Sequence, residues 1–425
     1  MKTIDRTIGP PLRGIDKITL TSVEQVQLSN GLPVWIINAG TQEVSKIEMI
    51  FDAGRWQEPQ RAVAATVSKM LADGTRTKSS QEISEAIEFY GASFHSDAAV
   101  DYSIVSLFTL NKHLPSLLPL FHEVITEASF PEKELETYKQ NSKQRLMVNL
   151  QKVDFLSHKE FNERLYGKHH PNGYTTAAGD YDLLTLDALR KFHQTTYRPD
   201  HCKIILAGKI SDDTLKLLDE FFGKEIPAHS NGTEVSHFPV TEAQRTFYVE
   251  KKDSVQSAIR IGKFIVNKLH PDFTKLRVLN TILGGYFGSR LMQNLREDKG
   301  FCYGVHSGIA SYLHDASFFI STEAGKEVAD AAVQEIFREV DRLRTEPVGA
   351  DELQLVKNYL LGVILADADG PFNVAEIIRG LIVYGMDVSH FYRNIEQIKS
   401  VTSEELMNLA IQYLDPASMI EVVAG

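Results

Sequence analysis

Cysteine is nearly absent. Cys202 and Cys302 are the only two in 425 residues, and no Cys-x-x-Cys occurs. That excludes a thiolate metal cluster and a disulfide-stapled framework, and makes two reduced thiols in a reducing compartment the expectation. A basic excess is also lacking, with 45 Lys+Arg against 56 Asp+Glu and a net charge of −11. Nucleic acid and anionic membrane surfaces both demand a basic face, so neither is an expected partner. No apolar run reaches the length of a membrane-spanning helix. The segment Met1–Arg6, followed by Gly9-Pro10-Pro11, lacks the apolar core of a secretion signal. The expected setting is the cytoplasm, or the periplasm had a leader been removed. Fourteen histidines are present, yet no two stand three or four residues apart. No helix can therefore present a histidine pair to a metal. The adjacent His169 and His170, before Pro171-Asn172-Gly173, read as a loop packing motif. His193 and His201, eight apart across a helix end, read as structural.

Apolar residues are plentiful, at 43%. At about 150 residues per domain, the length allows two or three cores. The chain repeats itself. Glu134-Leu135-Glu136-Thr137-Tyr138-Lys139 returns 218 residues later as Glu352-Leu353-Gln354-Leu355-Val356-Lys357. Leu186–Leu189 and Thr402–Leu406 each open a capped helix. Tyr197-Arg198-Pro199 then leads to Ile204-Ile205-Leu206-Ala207-Gly208. Tyr413-Leu414-Asp415-Pro416 leads in the same way to Ile420-Glu421-Val422-Val423-Ala424-Gly425. The period is far too long for a solenoid and indicates domain duplication. Pro227, Ser230-Asn231-Gly232 and Pro239 place the joint near Lys224–Ala243. The expected domains are residues 1–225 and 240–425.

Within the first unit, Val34–Ile37, Ile47–Phe51 and Tyr102–Leu110 carry strand patterns. Ala62–Ala72, Ser80–Tyr90 and Leu114–Thr126 carry helical ones. Short connections between neighbouring strands predict an α+β domain made twice, each an antiparallel sheet with helices packed on one face.

The order of these elements, and several motifs, resemble the pitrilysin/insulinase superfamily in its small two-domain form, the mitochondrial-processing-peptidase kind. In the first half these are Ala53-Gly54-Arg55-Trp56-Gln57-Glu58-Pro59, Gly74-Thr75 and Tyr90-Gly91-Ala92. The second half matches more sharply. It has Gly284-Gly285-Tyr286-Phe287-Gly288-Ser289-Arg290-Leu291, then Leu295-Arg296-Glu297-Asp298-Lys299-Gly300-Phe301-Cys302-Tyr303. The resemblance spans about residues 20 to 425.

Catalytic members of that superfamily carry His-x-x-Glu-His on the helix before the Gly-Thr step. Two His four apart share a zinc, and the Glu polarises its water. Counting back from Gly74-Thr75, the five positions here are Ala65, Thr66, Val67, Ser68 and Lys69, with no histidine anywhere between residues 51 and 94. Residues 137–159, where the resemblance implies the third ligand, contain no Glu. A lysine at a ligand position repels a dication. No metal and no other cofactor is expected in this chain.

The resemblance assigns Arg296 and Tyr303 to a pair that reaches substrate at a partner's zinc. A guanidinium suits a peptide carbonyl, and a phenol can donate to a developing oxyanion. Gly284, Gly285 and Gly288 form a glycine-rich turn that the family links to substrate contact. The turn lacks the phosphate-loop pattern. The edge near His95-Ser96 can pair with an extended peptide, without a catalytic role for His95. The implied function is a zinc-free, non-catalytic subunit of a heteromeric zinc metallopeptidase. Its expected partners are a homologous zinc-bearing chain and a peptide. The alternatives are a purely structural or peptide-binding scaffold of the same fold, and an independent metallopeptidase, against which the histidine spacing argues.

Overall fold

A computed structural model describes residues 14–15, 17–198, 202–224 and 244–425. The expected joint beyond Lys224, the domain boundaries at 225 and 240, Pro199, His201 and the first thirteen residues lie outside them. The first half runs β1 (Glu24–Gln27), β2 (Pro33–Asn38), β3 (Val44–Phe51), α1 (Val63–Met70), α2 (Ser80–Phe89), β4 (Ser93–Ala98), β5 (Ser103–Leu110), α3 (Leu114–Thr126), α4 (Glu132–Asn149), α5 (Val153–Tyr166), α6 (Ala178–Asp182), α7 (Leu186–Thr196), β6 (Cys202–Gly208) and α8 (Asp212–Phe222). The second runs β7 (Thr246–Val249), β8 (Gln256–Phe264), α9 (Phe273–Asn280), β9 (Cys302–Ser311), β10 (Ala316–Gly325), α10 (Ala329–Thr345), α11 (Ala350–Asp367), α12 (Pro371–Ile382), α13 (Val388–Ser400), α14 (Ser403–Tyr413) and β11 (Ile420–Ala424).

The two sheets are copies. One has the order β1-β2-β6-β3-β5-β4, the other β7-β11-β8-β10-β9. Without β1 the orders coincide, which is the duplication seen in three dimensions. Each sheet is mixed rather than wholly antiparallel. β2 pairs parallel with β6, and β7 parallel with β11, while the other pairs are antiparallel. The last strand of each half returns after a long helical connection and slides in beside an early one, β6 beside β2 and β11 beside β7. A crossover of that length permits a parallel pair, which a tight hairpin cannot make.

The halves also exchange a helix. α5 of the first half packs on β7, β8 and β11, and α12 of the second packs on β2 and β6. Helices of the same half cover one face of each sheet, as expected. The other face is covered by the helix from the opposite half. This explains the continuous apolar run in β6. Ile204 and Leu206 join the core of the first half, whereas Ile205 and Ala207 join the core containing Ile378 and Leu381 of α12. A strand buried on both faces has no reason to alternate. On the second sheet, Phe161, Leu165 and Tyr166 of α5 pack on Phe247, Ile420 and Val422. A Cβ on Gly262 of β8 would lie 2.9 Å from the Phe161 ring and 2.1 Å from the Phe318 carbonyl. Only glycine lets the helix approach that closely. Burying each such large apolar side chain contributes roughly 1.5–3 kcal/mol.

α12 is fixed by charge as well. Glu48 of β3 is 1% exposed. It pairs with Lys46 at 2.7 Å and with Arg379 of α12 at 2.9 Å, and Glu376 pairs with both cations. Burial alone would raise the Glu376 carboxyl, but the Lys46 hydrogen bond and the Arg379 charge hold it below its usual range.

Candidate functional site

Two places bear the chemistry anticipated from sequence. The first is α1. Val63, Val67 and Met70 face the core and set its register. Ala62 precedes it in the left-handed region, with no side-chain cap of its own. The carboxylate of Glu58 fills that role, accepting from the Ala64 amide at 3.1 Å and from the Tyr174 hydroxyl. Burial pushes this carboxyl up to about 7, against the opposing pull of the Ala64 amide and of Arg55.

The five positions where a metal motif would stand are closed on themselves. Thr66 Oγ1 donates to the Ala62 carbonyl at 2.6 Å. Ser68 is 1% exposed, and its hydroxyl shares a 2.7 Å hydrogen bond with that of Ser96 on β4. Lys69 Nζ donates to the Ser96 carbonyl at 3.2 Å and lies 3.5 Å from Asp97. Ala65 supplies only a methyl group. The ammonium thus ties α1 to the terminal strand of the sheet, with Asp97 balancing its charge. This donor set, a methyl, a spent hydroxyl and a cation, does not fit zinc. Among the described residues, no group of three or more His, Cys, Asp or Glu could hold a metal ion. α4, expected to carry a third ligand, has no Asp or Glu beyond Glu136 and carries Lys139, Lys143 and Arg145 there instead.

The second place is the segment from the glycine-rich turn to β9. α9 leads into a π-helical turn, Thr281–Gly285, and the following helix widens into another, Met292–Asp298. Such widened turns re-aim side chains and are frequent at functional sites. Arg296 emerges from the second. Its guanidinium carbon lies 5.3 Å from the Tyr303 ring centre and 4.9 Å from that of Phe287. Its Nε stands 3.4 Å from the neighbouring Glu297. Tyr303 opens β9 and is 89% exposed, and Phe287 is 67% exposed. The structure therefore brings the two expected residues together and adds Phe287. The signal for Phe287 was available in the sequence, as a large aromatic inside a glycine-rich turn.

Packing accounts for Gly284, since a Cβ there would lie 2.8 Å from the Ser307 amide of β9. At Gly285 the nearest atoms belong to Asn280, and at Gly288 to the Tyr286 ring. Tyr303 also borders a cleft of about 510 Å³ that contains His306 of β9 and Asp154 of α5.

Of the histidines read as structural, His170 and His193 are buried and hydrogen-bonded, His169 is exposed, and His201 lies outside the described residues. His170 is buried, its Nδ1 accepts from the Asn172 amide at 3.0 Å, and its Nε2 lies 3.2 Å from Asp315 of the second half. His193 is buried with Nε2 2.6 Å from the Ile125 carbonyl. His95 is exposed on β4. Both cysteines are unpaired. Among the described residues, no helix is long and apolar enough to cross a membrane.

Comparison with known proteins gives these observations a setting. Residues 34–172 match the family model described as insulinase (peptidase family M16), and residues 183–360 match the model of the peptidase M16 inactive domain. An uncharacterized zinc protease of Bacillus subtilis, YmxG, is 26% identical over 348 residues, 81% of this chain and 84% of that protein. A Helicobacter pylori protein named non-peptidase homolog YmxG is 23% identical over 310 residues, 71% of this chain and 70% of that one. Among solved structures, a peptidase M16 inactive domain from Pseudomonas fluorescens superposes with a TM-score of 0.87 at 23% identity, covering 95% of this chain and 98% of that one. The periplasmic protease PqqL of Escherichia coli superposes with a TM-score of 0.77 at 17% identity. The match covers 99% of this chain but 48% of PqqL.

Proposed function

The chain belongs to the pitrilysin/insulinase superfamily as an inactive-type member, and from that premise we propose that it is the zinc-free subunit of a heteromeric zinc metallopeptidase. A homologous zinc-bearing chain supplies the metal and general base. This chain supplies Arg296 and Tyr303 and one wall of the chamber that holds the peptide. The same reading places it in the cytoplasm, in keeping with two unpaired thiols.

One observation carries the proposal. Arg296 and Tyr303 stand together and outward on the second half, while the polar groups of α1 are spent within the first. An Arg that served only its own fold would be expected against a buried carboxylate. This one lies between two exposed aromatic rings, with its Nε toward the exposed Glu297, so that its terminal nitrogens make no hydrogen bond among the described residues. In the assembled enzyme, Arg296 would orient a peptide carbonyl or carboxylate. The Tyr303 hydroxyl would donate to the oxyanion that develops on the attacked peptide carbonyl. Phe287 would keep the pair preorganised and press on the peptide from the glycine-rich turn.

The test is reconstitution. The chain and a homologue from the same organism bearing His-x-x-Glu-His are purified separately, and turnover of a quenched peptide is followed for each and for the mixture. Activity in the mixture alone is the expected result. A zinc-bearing chain that works equally well without this one would leave the scaffold reading in its place.

A further inference from the structure

The first half contains a pocket that neither the metal motif nor the Arg296 site uses. It has a volume of about 530 Å³ and lies between α4, α5, the turn after β4 and Tyr312 of the second half. Two guanidiniums, Arg55 and Arg145, face into it, and no Asp or Glu is among its lining residues. That is unusual in a chain with a net charge of −11. Arg55 is held by the Pro171 carbonyl at 3.4 Å and by the Tyr174 ring at 5.4 Å, and the carboxyl it acts on, Glu58, is pushed by burial up to about 7. Arg145 is exposed on α4, and among the described residues it makes no ion pair. Arg260 stands close by, stacked 4.5 Å from the Phe319 ring, with a buried Nε that lacks a hydrogen-bond partner.

Two of the nearby carboxylates are committed elsewhere, while Asp154 of α5 faces Arg260 and His158 from outside the lining. Asp101 accepts from Trp56 Nε1 at 3.1 Å and from the Leu313 amide at 3.0 Å. Asp315 accepts from Asn172 at 2.9 Å. The lining itself therefore carries positive charge only, and His158 is part of it. Burial, then the charge of Arg260, push its imidazole down to about 4. His158 Nε2 lies 3.3 Å from the Asn162 amide nitrogen, which donates to the neutral ring.

The position says what kind of anion this pocket meets. β4 is the terminal strand of its sheet, and Ala98, Ala99 and Val100 at its end form part of the pocket wall. An extended peptide added to the free edge of β4 would run directly into the pocket. The volume lies within the usual range of small-ligand sites, about 300–1,000 Å³. We propose that this pocket binds a carboxylate of a peptide laid along β4, with Arg55 and Arg145 as its charged donors. The proposal rests on the peptide-binding part of the function argued above. It adds the chemical class that is selected, peptides ending in a free carboxylate or carrying an acidic side chain near the pocket.

Three fluorescein-labelled hexapeptides test it on the full chain by fluorescence anisotropy. One has neutral side chains and a free C-terminus, one is amidated and contains a Glu, and one is neutral and amidated. At least one carboxylate peptide should bind about tenfold more tightly than the neutral amide, as a charge-assisted pair warrants. Which of the two does so identifies the source of the carboxylate. Arg145→Gln should remove the preference without changing the melting temperature, and Arg145→Lys should retain part of it. Equal binding of all three peptides would overturn the pocket assignment while leaving peptide binding intact. A preference that survives Arg145→Gln would overturn it too. Binding of none would overturn both the pocket and the peptide-binding reading, whereas the reconstitution test addresses Arg296 and Tyr303 separately.

Discussion

The two halves have one strand order and treat their polar side chains in opposite ways. In the first, Ser68 and Lys69 spend themselves on Ser96 and Asp97, and the helix that would carry a metal becomes a brace for the edge strand. In the second, Arg296 and Tyr303 are left pointing outward, cradled by Phe287. A polar group whose donors are filled inside its own domain contributes to stability, whereas one held in place but left unsatisfied is available to a ligand. Duplication supplied two copies of one scaffold, and the two copies now spend their polar groups differently.

The largest expected effect would sharpen that contrast. In the reconstituted pair, Arg296→Ala should lower kcat about 100- to 1,000-fold, the usual cost of one preorganised donor to an oxyanion. Tyr303→Phe should act in the same direction, somewhat more weakly, because the ring that stacks on Arg296 remains. Neither should shift the melting temperature. Normal turnover in both would make the second half as structural as the first. Next comes the exchanged helix. Arg379→Ala leaves Glu48 buried with Lys46 alone and should cost about 3 kcal/mol, the lower end for breaking a buried pair, because one partner survives. Chemical denaturation measures it, and a loss below about 1 kcal/mol would mean that α12 is held by its apolar face alone. Rebuilding the motif tests the first half directly. Ala65→His, Ser68→Glu and Lys69→His together should not yield stoichiometric zinc after dialysis, since α4 carries no Asp or Glu beyond Glu136, where the third ligand would stand. A carboxylate at the Ser68 position, 1% exposed, should also destabilise the fold by about 1–3 kcal/mol. One zinc per chain by elemental analysis would show the site to be recoverable.

Much of this was legible in sequence because it rests on local rules. The helix over Leu114–Thr126 occurs with those bounds, and the Thr402 cap with its Glu405 partner closes a capping box as its pattern required. The absence of ligands at Ala65, Ser68 and Lys69 needed only counting. Tertiary exchange was not legible. Periodicity reports that Ile204–Ala207 is buried on both faces, but not that the second cover is α12, 170 residues away in the chain. Sheet direction was missed for the same reason, because the parallel pairs join the two ends of each half. Widening of the helix at Met292–Asp298 leaves no mark in the residue pattern, so the meeting of Arg296 with Phe287 had to be seen.

The smallest effect concerns how α1 is anchored compared with its counterpart. α9 begins at Asp272 without a side-chain cap, whereas α1 depends on Glu58. The Glu58 carboxyl sits at about 7 in the folded chain, against an ordinary value of 4.5, chiefly through burial. Between those two values the folded state holds a proton that the unfolded state has released. The stability that Glu58 contributes is therefore full below about pH 4.5 and declines as the pH rises through about 7. Glu58→Gln removes the titration while keeping an acceptor for the Ala64 amide. The variant should gain on the wild type by about 1 kcal/mol between pH 5 and pH 8, well short of the full linkage value because solvent reaches part of the group. Denaturation curves at the two pH values, taken for both proteins, measure the difference. A wild type that gains on Glu58→Gln as the pH rises would mean that the Ala64 amide and the Tyr174 hydroxyl hold Glu58 ionised. α1 would then be capped by a permanent charge, and the first half would be braced by charge at both ends of that helix.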